Sequence, residues 1–138
     1  MTDVLFRFDV DAPPNTILQA VTTGEGIRSF WTSRAEVPAE VGETLKLEFQ
    51  QAPLPFDLRL EQADEHTVVW RAQTFPPHWI GTSIRWDVEP RAGGSTVAFR
   101  HDGFADDDEA GRVAYTWGTI MARLKEYAET GRSDPVFT

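Results

Sequence analysis

YTWGTIMARLKEYAETG, residues 115–131, is the stretch on which the fold turns. With the residues just before it, it sets Val113, Trp117, Ile120, Met121, Leu124 and Ala128 at three- and four-residue steps, so one apolar stripe runs along a long helix. Asp106, Asp107, Asp108 and Glu109 stand where carboxylates favour the unpaired N–H groups and the positive dipole end of that helix. Gly131 stands where a left-handed C-cap is wanted. A lone helix cannot keep such a stripe out of water. Nearly everything upstream reads as strand, so the expected fold lays this helix in the palm of a curved sheet, and what else the palm holds becomes the functional question.

The upstream chain begins with Val4, Phe6, Phe8 and Val10 alternating with Leu5, Arg7 and Asp9, a half-buried strand. Ala12, Pro13, Pro14 and Asn15 stop it. Ile17, Leu18 and Val21, then Ile27, Phe30 and Trp31, predict two short helices broken at Thr23, Gly24, Glu25 and Gly26. Residues 34–42, with Pro38, read as strand or extended loop. Alternating runs follow at Leu45, Leu47 and Phe49; Phe56, Leu58 and Leu60; Val68, Trp70 and Ala72; Thr82, Ile84, Trp86 and Val88; and Val97, Phe99 and His101. The opposite parity is largely charged, as at Lys46, Glu48, Arg59, Arg71, Arg85, Asp87 and Arg100, which predicts an antiparallel sheet with one face in water. Residues 63–66 and 90–95 read as hairpin turns. The order is strand, two short helices, about six more strands and one long helix, an α+β domain with no repeat or linker in residues 1–138.

Composition narrows the function classes. No apolar run approaches the roughly 18 residues of a membrane span, and the N-terminus carries an acid before any base, unlike a secretory leader. A cytoplasmic location is expected. The chain has no cysteine, which excludes disulfides, thiolate metal sites and a cysteine nucleophile. A net charge of −9 argues against nucleic acid or an anionic membrane as partner, since both require a basic face. No phosphate loop, nucleophile elbow, metalloprotease helix or dinucleotide fingerprint is present, so no cofactor or metal is expected; the acidic run at residues 106–109 reads as helix capping rather than as a cation site.

APPNTILQAVTTGEGIRSFW, residues 12–31, resembles the opening of the START-like, helix-grip (SRPBCC) superfamily, in which a Pro-led helix leads to an aromatic before the second strand. HDGFADDDEAGRVAYTWGTIMARLKEYAETG, residues 101–131, resembles the close of its heat-shock-protein-90 ATPase activator-like family, carried by Phe104, Trp117, Gly118, Leu124, Lys125, Tyr127, Thr130 and Gly131. Two departures stand out: the family's tryptophan pair is Phe30 and Trp31, and its glycine-rich turn is reduced to Gly42, Glu43 and Thr44. The resemblance implies a seven-stranded antiparallel sheet gripping the C-terminal helix, often around an apolar cavity. Members bind lipids, sterols, hormones or polyketides, some catalyse cyclisation or dehydration, and the eponymous branch stimulates a chaperone ATPase.

Trp31, Phe49, Trp70, Trp86, Phe99, Trp117 and Met121 fall on the inward parity or stripe, and with His101 they form the candidate ligand-binding set. Phe75, Trp79 and Phe104 stand in or beside loops that would form a rim, and His78 would sit at the mouth. The competing reading of each aromatic is core packing. His101 is either an orienting or acid–base group or a histidine satisfied by backbone or by Asp102; His66 reads as a turn residue. The first expectation is a carrier of a small hydrophobic molecule. The alternatives are a protein-binding module with a chaperone or homodimer partner, and a polyketide cyclase- or dehydratase-like enzyme using His101 with a carboxylate.

Overall fold

The computed structural model describes residues 2–38 and 40–138. Strand β1 (Thr2–Val10) leads into helices α1 (Pro14–Thr22) and α2 (Gly24–Phe30). Six strands follow: β2 (Ala35–Glu36), β3 (Thr44–Leu47), β4 (Phe56–Ala63), β5 (Thr67–Ala72), β6 (Ser83–Arg91) and β7 (Gly94–Phe104). Helix α3 (Asp107–Thr130) closes the fold. The seven strands form one antiparallel sheet in the order β1-β7-β6-β5-β4-β3-β2. Strands β2 to β7 are a meander, and β1 pairs with the last of them.

The period-two pattern sets the two faces. Register places Val4, His101, Ile84, Trp70 and Leu60 side by side across five strands, and all are buried. The opposite parity carries Leu5, Arg100 and Arg85 into solvent, with exposed pairs such as Arg85–Asp87 at 2.8 Å and Arg71–Glu61 at 3.1 Å; pairs this wet stabilise little. Helix α3 buries Ala110, Trp117, Ile120, Met121 and Leu124 against the inner face. Its ends are set as the sequence foretold: the Asp106 side chain accepts from the Glu109 N–H at 2.9 Å, and Gly131 adopts φ 79°. Side chains of α3 also hold β1, with Lys125 Nζ donating to the Asp9 carbonyl at 2.6 Å and Glu129 accepting from the Asp11 N–H at 2.8 Å.

Local details differ from the sequence reading in three places. The break between the short helices is Thr23 alone, whose N–H returns to the Gln19 carbonyl while its hydroxyl accepts from the Gly26 N–H at 3.0 Å, ending one helix and capping the next. Phe49 lies beyond β3 in a turn closed by Ala52 N–H to its carbonyl at 3.0 Å. The second hairpin turns at Ala92 and Gly93 only, because Gly93 takes φ 81° and lets Arg91 pair with Gly94. Ala39, within the stretch read as strand or extended loop, lies outside the described residues.

Two helical glycines give opposite expectations. A Cβ on Gly26 would lie 2.2 Å from the Ala20 carbonyl oxygen of α1, so Gly26→Ala must push the short helices apart. We expect a loss of about 2–3 kcal/mol in urea-unfolding free energy. Gly118 of α3 faces open space, and Gly118→Ala should add about 0.5–1 kcal/mol through helix propensity.

Candidate functional site

Where α3 passes the loop end of the sheet the core does not close. A cavity of about 370 Å³ remains, lined by Trp31, Phe49, Gln51, Ala52, Phe56, His78, Trp79, Arg112, Val113, Thr116, Trp117, Ile120 and Phe137. Trp31, Trp79, Trp117 and Ile120 are buried and make its floor, while Gln51, His78, Arg112 and Thr116 are exposed and make its rim. Each wall has a local cause. Trp31 is the C-cap of α2, delivered inward as that helix ends. Pro76 and Pro77 start a 3₁₀ turn, Pro77–Trp79, that turns Trp79 into the interior and leaves His78 outside. The turn at residues 49–52 brings Phe49 against Phe56, with ring centroids 4.7 Å apart and edge-to-face. Trp79 and Trp117 lie nearly parallel, 19° between planes at 6.2 Å, and Trp31 closes on Trp117 at 4.9 Å.

The last wall comes from the C-terminal tail. Asp134 N–H donates to the Ser29 carbonyl at 2.9 Å and Phe137 N–H to the Trp31 carbonyl at 3.0 Å, while Ser33 N–H returns to Phe137 at 3.0 Å. Arg123 anchors the same tail, its Nη1 lying 2.7 Å from the Asp134 carbonyl and 2.9 Å from the carboxylate. Phe137 is thereby seated edge-on against Phe49 at 4.9 Å.

Of the candidate residues, Trp31, Phe49 and Trp117 line this cavity. Trp70, Trp86, Phe99, His101 and Met121 do not; they lie in the packed core beyond its floor. The reason is that inward parity marks which side chains leave water, not which are left without neighbours. Trp86 meets Phe99 at 4.7 Å and Trp70 at 6.2 Å, so its space is filled by rings. Among the described residues, its Nε1 is the buried side-chain polar atom without a hydrogen-bond partner. Of the residues placed at the rim, His78 and Trp79 line the cavity, Phe75 packs behind Phe56 at 5.6 Å, and Phe104 is fully buried against His101. His66 sits in the turn before β5, its N–H on Asp64. Sequence reading missed Gln51, Ala52, Arg112, Thr116 and Phe137 as wall residues.

His101 belongs to a closed network. Trp117 Nε1–H can only donate, so Nδ1 of His101, 3.1 Å away, accepts and the ring proton rests on Nε2. Nε2–H then donates to Thr82 Oγ1 at 2.8 Å, whose hydroxyl donates to the Trp79 carbonyl at 2.7 Å. Every donor and acceptor on the ring is used, by Trp117 and Thr82 rather than by backbone or Asp102, which instead accepts from Ser83 at 2.7 Å. Burial, with a smaller repulsion from His78, pushes the His101 pKa down to about 3, so the ring is neutral near pH 7. The acid–base pair imagined at this position is not assembled at the cavity. His101 lies outside its lining, and among the described residues no carboxylate lines it.

A curved antiparallel sheet closed by a long C-terminal helix, with two short helices after the first strand and a cavity under the last helix, defines the helix-grip class of START-like proteins. Within that class the chain belongs to the Activator of Hsp90 ATPase homolog 1-like protein family, whose family model matches residues 11–129. No curated protein sequence matches it. Among solved structures, the Aha1 dimer from Colwellia psychrerythraea is similar at 27% identity, with a TM-score of 0.85 over 95% of this chain and 98% of that one. A protein from Staphylococcus saprophyticus shares the fold at 21% identity, TM-score 0.77, over 96% of each chain. DynU16, from the dynemicin biosynthetic locus, shares it at 19% identity and TM-score 0.78 over 95% of this chain and 48% of its own. No helix of the described residues is long and apolar enough to cross a membrane.

Proposed function

We propose that this protein is a single-domain, cytoplasmic carrier or sensor that holds one small apolar molecule in the cavity beneath α3. One observation carries the reading: the floor of a 370 Å³ cavity is aromatic and aliphatic while polar side chains stand at its rim, the arrangement of pockets that bury a ligand's body and orient one end. Ala52 offers the test, since it lines the cavity from a surface turn. Ala52→Trp should fill the space, reducing binding of a bicyclic aromatic probe at least about tenfold with little change in melting temperature. Native mass spectrometry and calorimetry read the two proteins side by side. A wild-type protein that binds no member of an aromatic and lipid panel would sink the proposal.

A second reading is favoured by Leu54, Ile80 and Tyr115, which are 57%, 55% and 86% exposed and stand within two residues of cavity-lining Ala52, Trp79 and Thr116. Large apolar side chains in water next to a pocket suit a protein-docking rim, and the family's name and the dimeric relative supply the candidates, a chaperone ATPase or a second copy. Stimulation of an Hsp90-type ATPase that Tyr115→Ser abolishes would support the first candidate. A monomeric elution at all concentrations would remove the second.

A further inference from the structure

We propose that the ligand of this cavity is a compact planar aromatic acid, its rings in the aromatic floor and its anionic head at Arg112; this rests on the carrier reading above. Charge is the first ground. The chain has 22 Asp and Glu against 13 Lys and Arg, yet the cavity lining holds an arginine and a histidine and no carboxylate. Arg112 thus puts a fixed cation in the lining of an acidic protein, where an anionic head group can reach it.

Arg112 is also free to serve. Its partner is Asp108, one turn back on α3 at 3.2 Å, with both side chains about four-fifths exposed. An ion pair this wet is worth little, so a carboxylate anchored by its own rings displaces it at small cost. The planar guanidinium fork matches a carboxylate in two parallel hydrogen bonds. Gln51 and Thr116 add neutral groups at the same rim.

Shape is the second ground. Trp79 and Trp117, which line the cavity, stack 19° from parallel, while Phe49 meets Phe56 and Phe137 edge-on, so the cavity walls are built of rings in both arrangements. Rings stack or meet edge-to-face in such a site, and an aliphatic chain does neither. A volume near 370 Å³ lies at the lower end of ligand pockets, roughly 300–1,000 Å³, and suits about two or three fused rings rather than a sterol or a long acyl chain.

The test uses a matched pair, 2-naphthoate and its methyl ester, titrated by calorimetry into the wild type, Arg112→Gln and Arg112→Lys. The wild type should bind the acid about tenfold tighter than the ester. Arg112→Gln should bind acid and ester alike, and Arg112→Lys should keep part of the preference. Equal binding of acid and ester by the wild type overturns the head-group assignment while leaving the carrier reading intact. A preference that survives in Arg112→Gln overturns Arg112 as the anchor. Binding of neither probe overturns the planar aromatic acid, while the carrier reading then stands or falls on the aromatic and lipid panel.

Discussion

Trp117→Ala is expected to lower the unfolding free energy by about 3–5 kcal/mol, the range for truncating a fully buried aromatic. Trp117 is 1% exposed and its ring centroid lies 4.6 Å from Phe99, 4.9 Å from Trp31 and 6.2 Å from both Trp79 and Trp86. Those neighbours come from β7, α2, the 3₁₀ turn and β6, so no single element can shift to refill the space. The loss has a second part, because His101 Nδ1 would keep its burial and lose its donor. Trp117→Phe separates the two: it keeps most of the ring and removes only the N–H, and about 1–3 kcal/mol should remain as the cost of the orphaned nitrogen. Urea unfolding of both variants is the measurement. A loss under about 1 kcal/mol for Trp117→Ala would mean that the cavity next to it absorbs the change by collapse.

The second large effect is on acid stability. His101 in the folded protein has a pKa near 3, well below the ordinary value of 6.5, so its neutral form carries the favourable interactions. A depressed pKa gives stability that is present above the unfolded value and is lost as pH falls towards the folded one. Between pH 6.5 and about 4.5, the unfolded chain takes up a proton at this ring that the folded chain refuses, and stability should fall by about 1.4 kcal/mol for each pH unit. The carboxylates act lower. Burial would raise Asp57 and Asp87, but hydrogen bonds from Thr74 and Phe75 to the first, and from Arg85 and Thr67 to the second, hold both below 3.8. Their contributions are therefore present above about pH 4 and lost beneath it. His101→Gln can offer an acceptor to Trp117 and a donor to Thr82 without titrating. Its unfolding free energy should be nearly flat between pH 6.5 and 4.5 where the wild type slopes; equal slopes would show that the ring charges in place.

The fold was legible because its signals are periodic. A stripe at 3.6 residues and alternation at 2 each report one coordinate, facing in or facing out, and Trp117, Trp86 and His101 were read correctly on that coordinate. A cavity is another kind of object. It arises where elements far apart in the chain fail to meet, and alternation along one strand carries no trace of that. Hence Trp86 and Trp31, equal in sequence terms, part company: one is boxed in by rings, the other ends a helix beside open space. Arg112 was invisible for a related reason, since it belongs to the polar side of α3 and reaches the mouth only because the stripe beside it faces the gap. Phe137 is a lone aromatic in a tail without period, and its seat depends on backbone pairing with residues about a hundred positions away.

The tryptophans also form one optical unit. Trp31 touches Trp70 and Trp117, Trp86 joins Trp70 to Trp117, and Trp79 stacks on Trp117, every link at 6.2 Å or less. At such spacing the indole transition dipoles couple. The circular dichroism of the folded protein should therefore show exciton splitting in the strong far-ultraviolet indole band rather than five separate contributions, and excitation absorbed by one indole can migrate to another before it is emitted. The emitted light belongs to the array. A molecule resting against Trp79 or Trp117 alone can darken all five indoles, which makes the intact protein a sensitive reporter of occupancy and a poor guide to position.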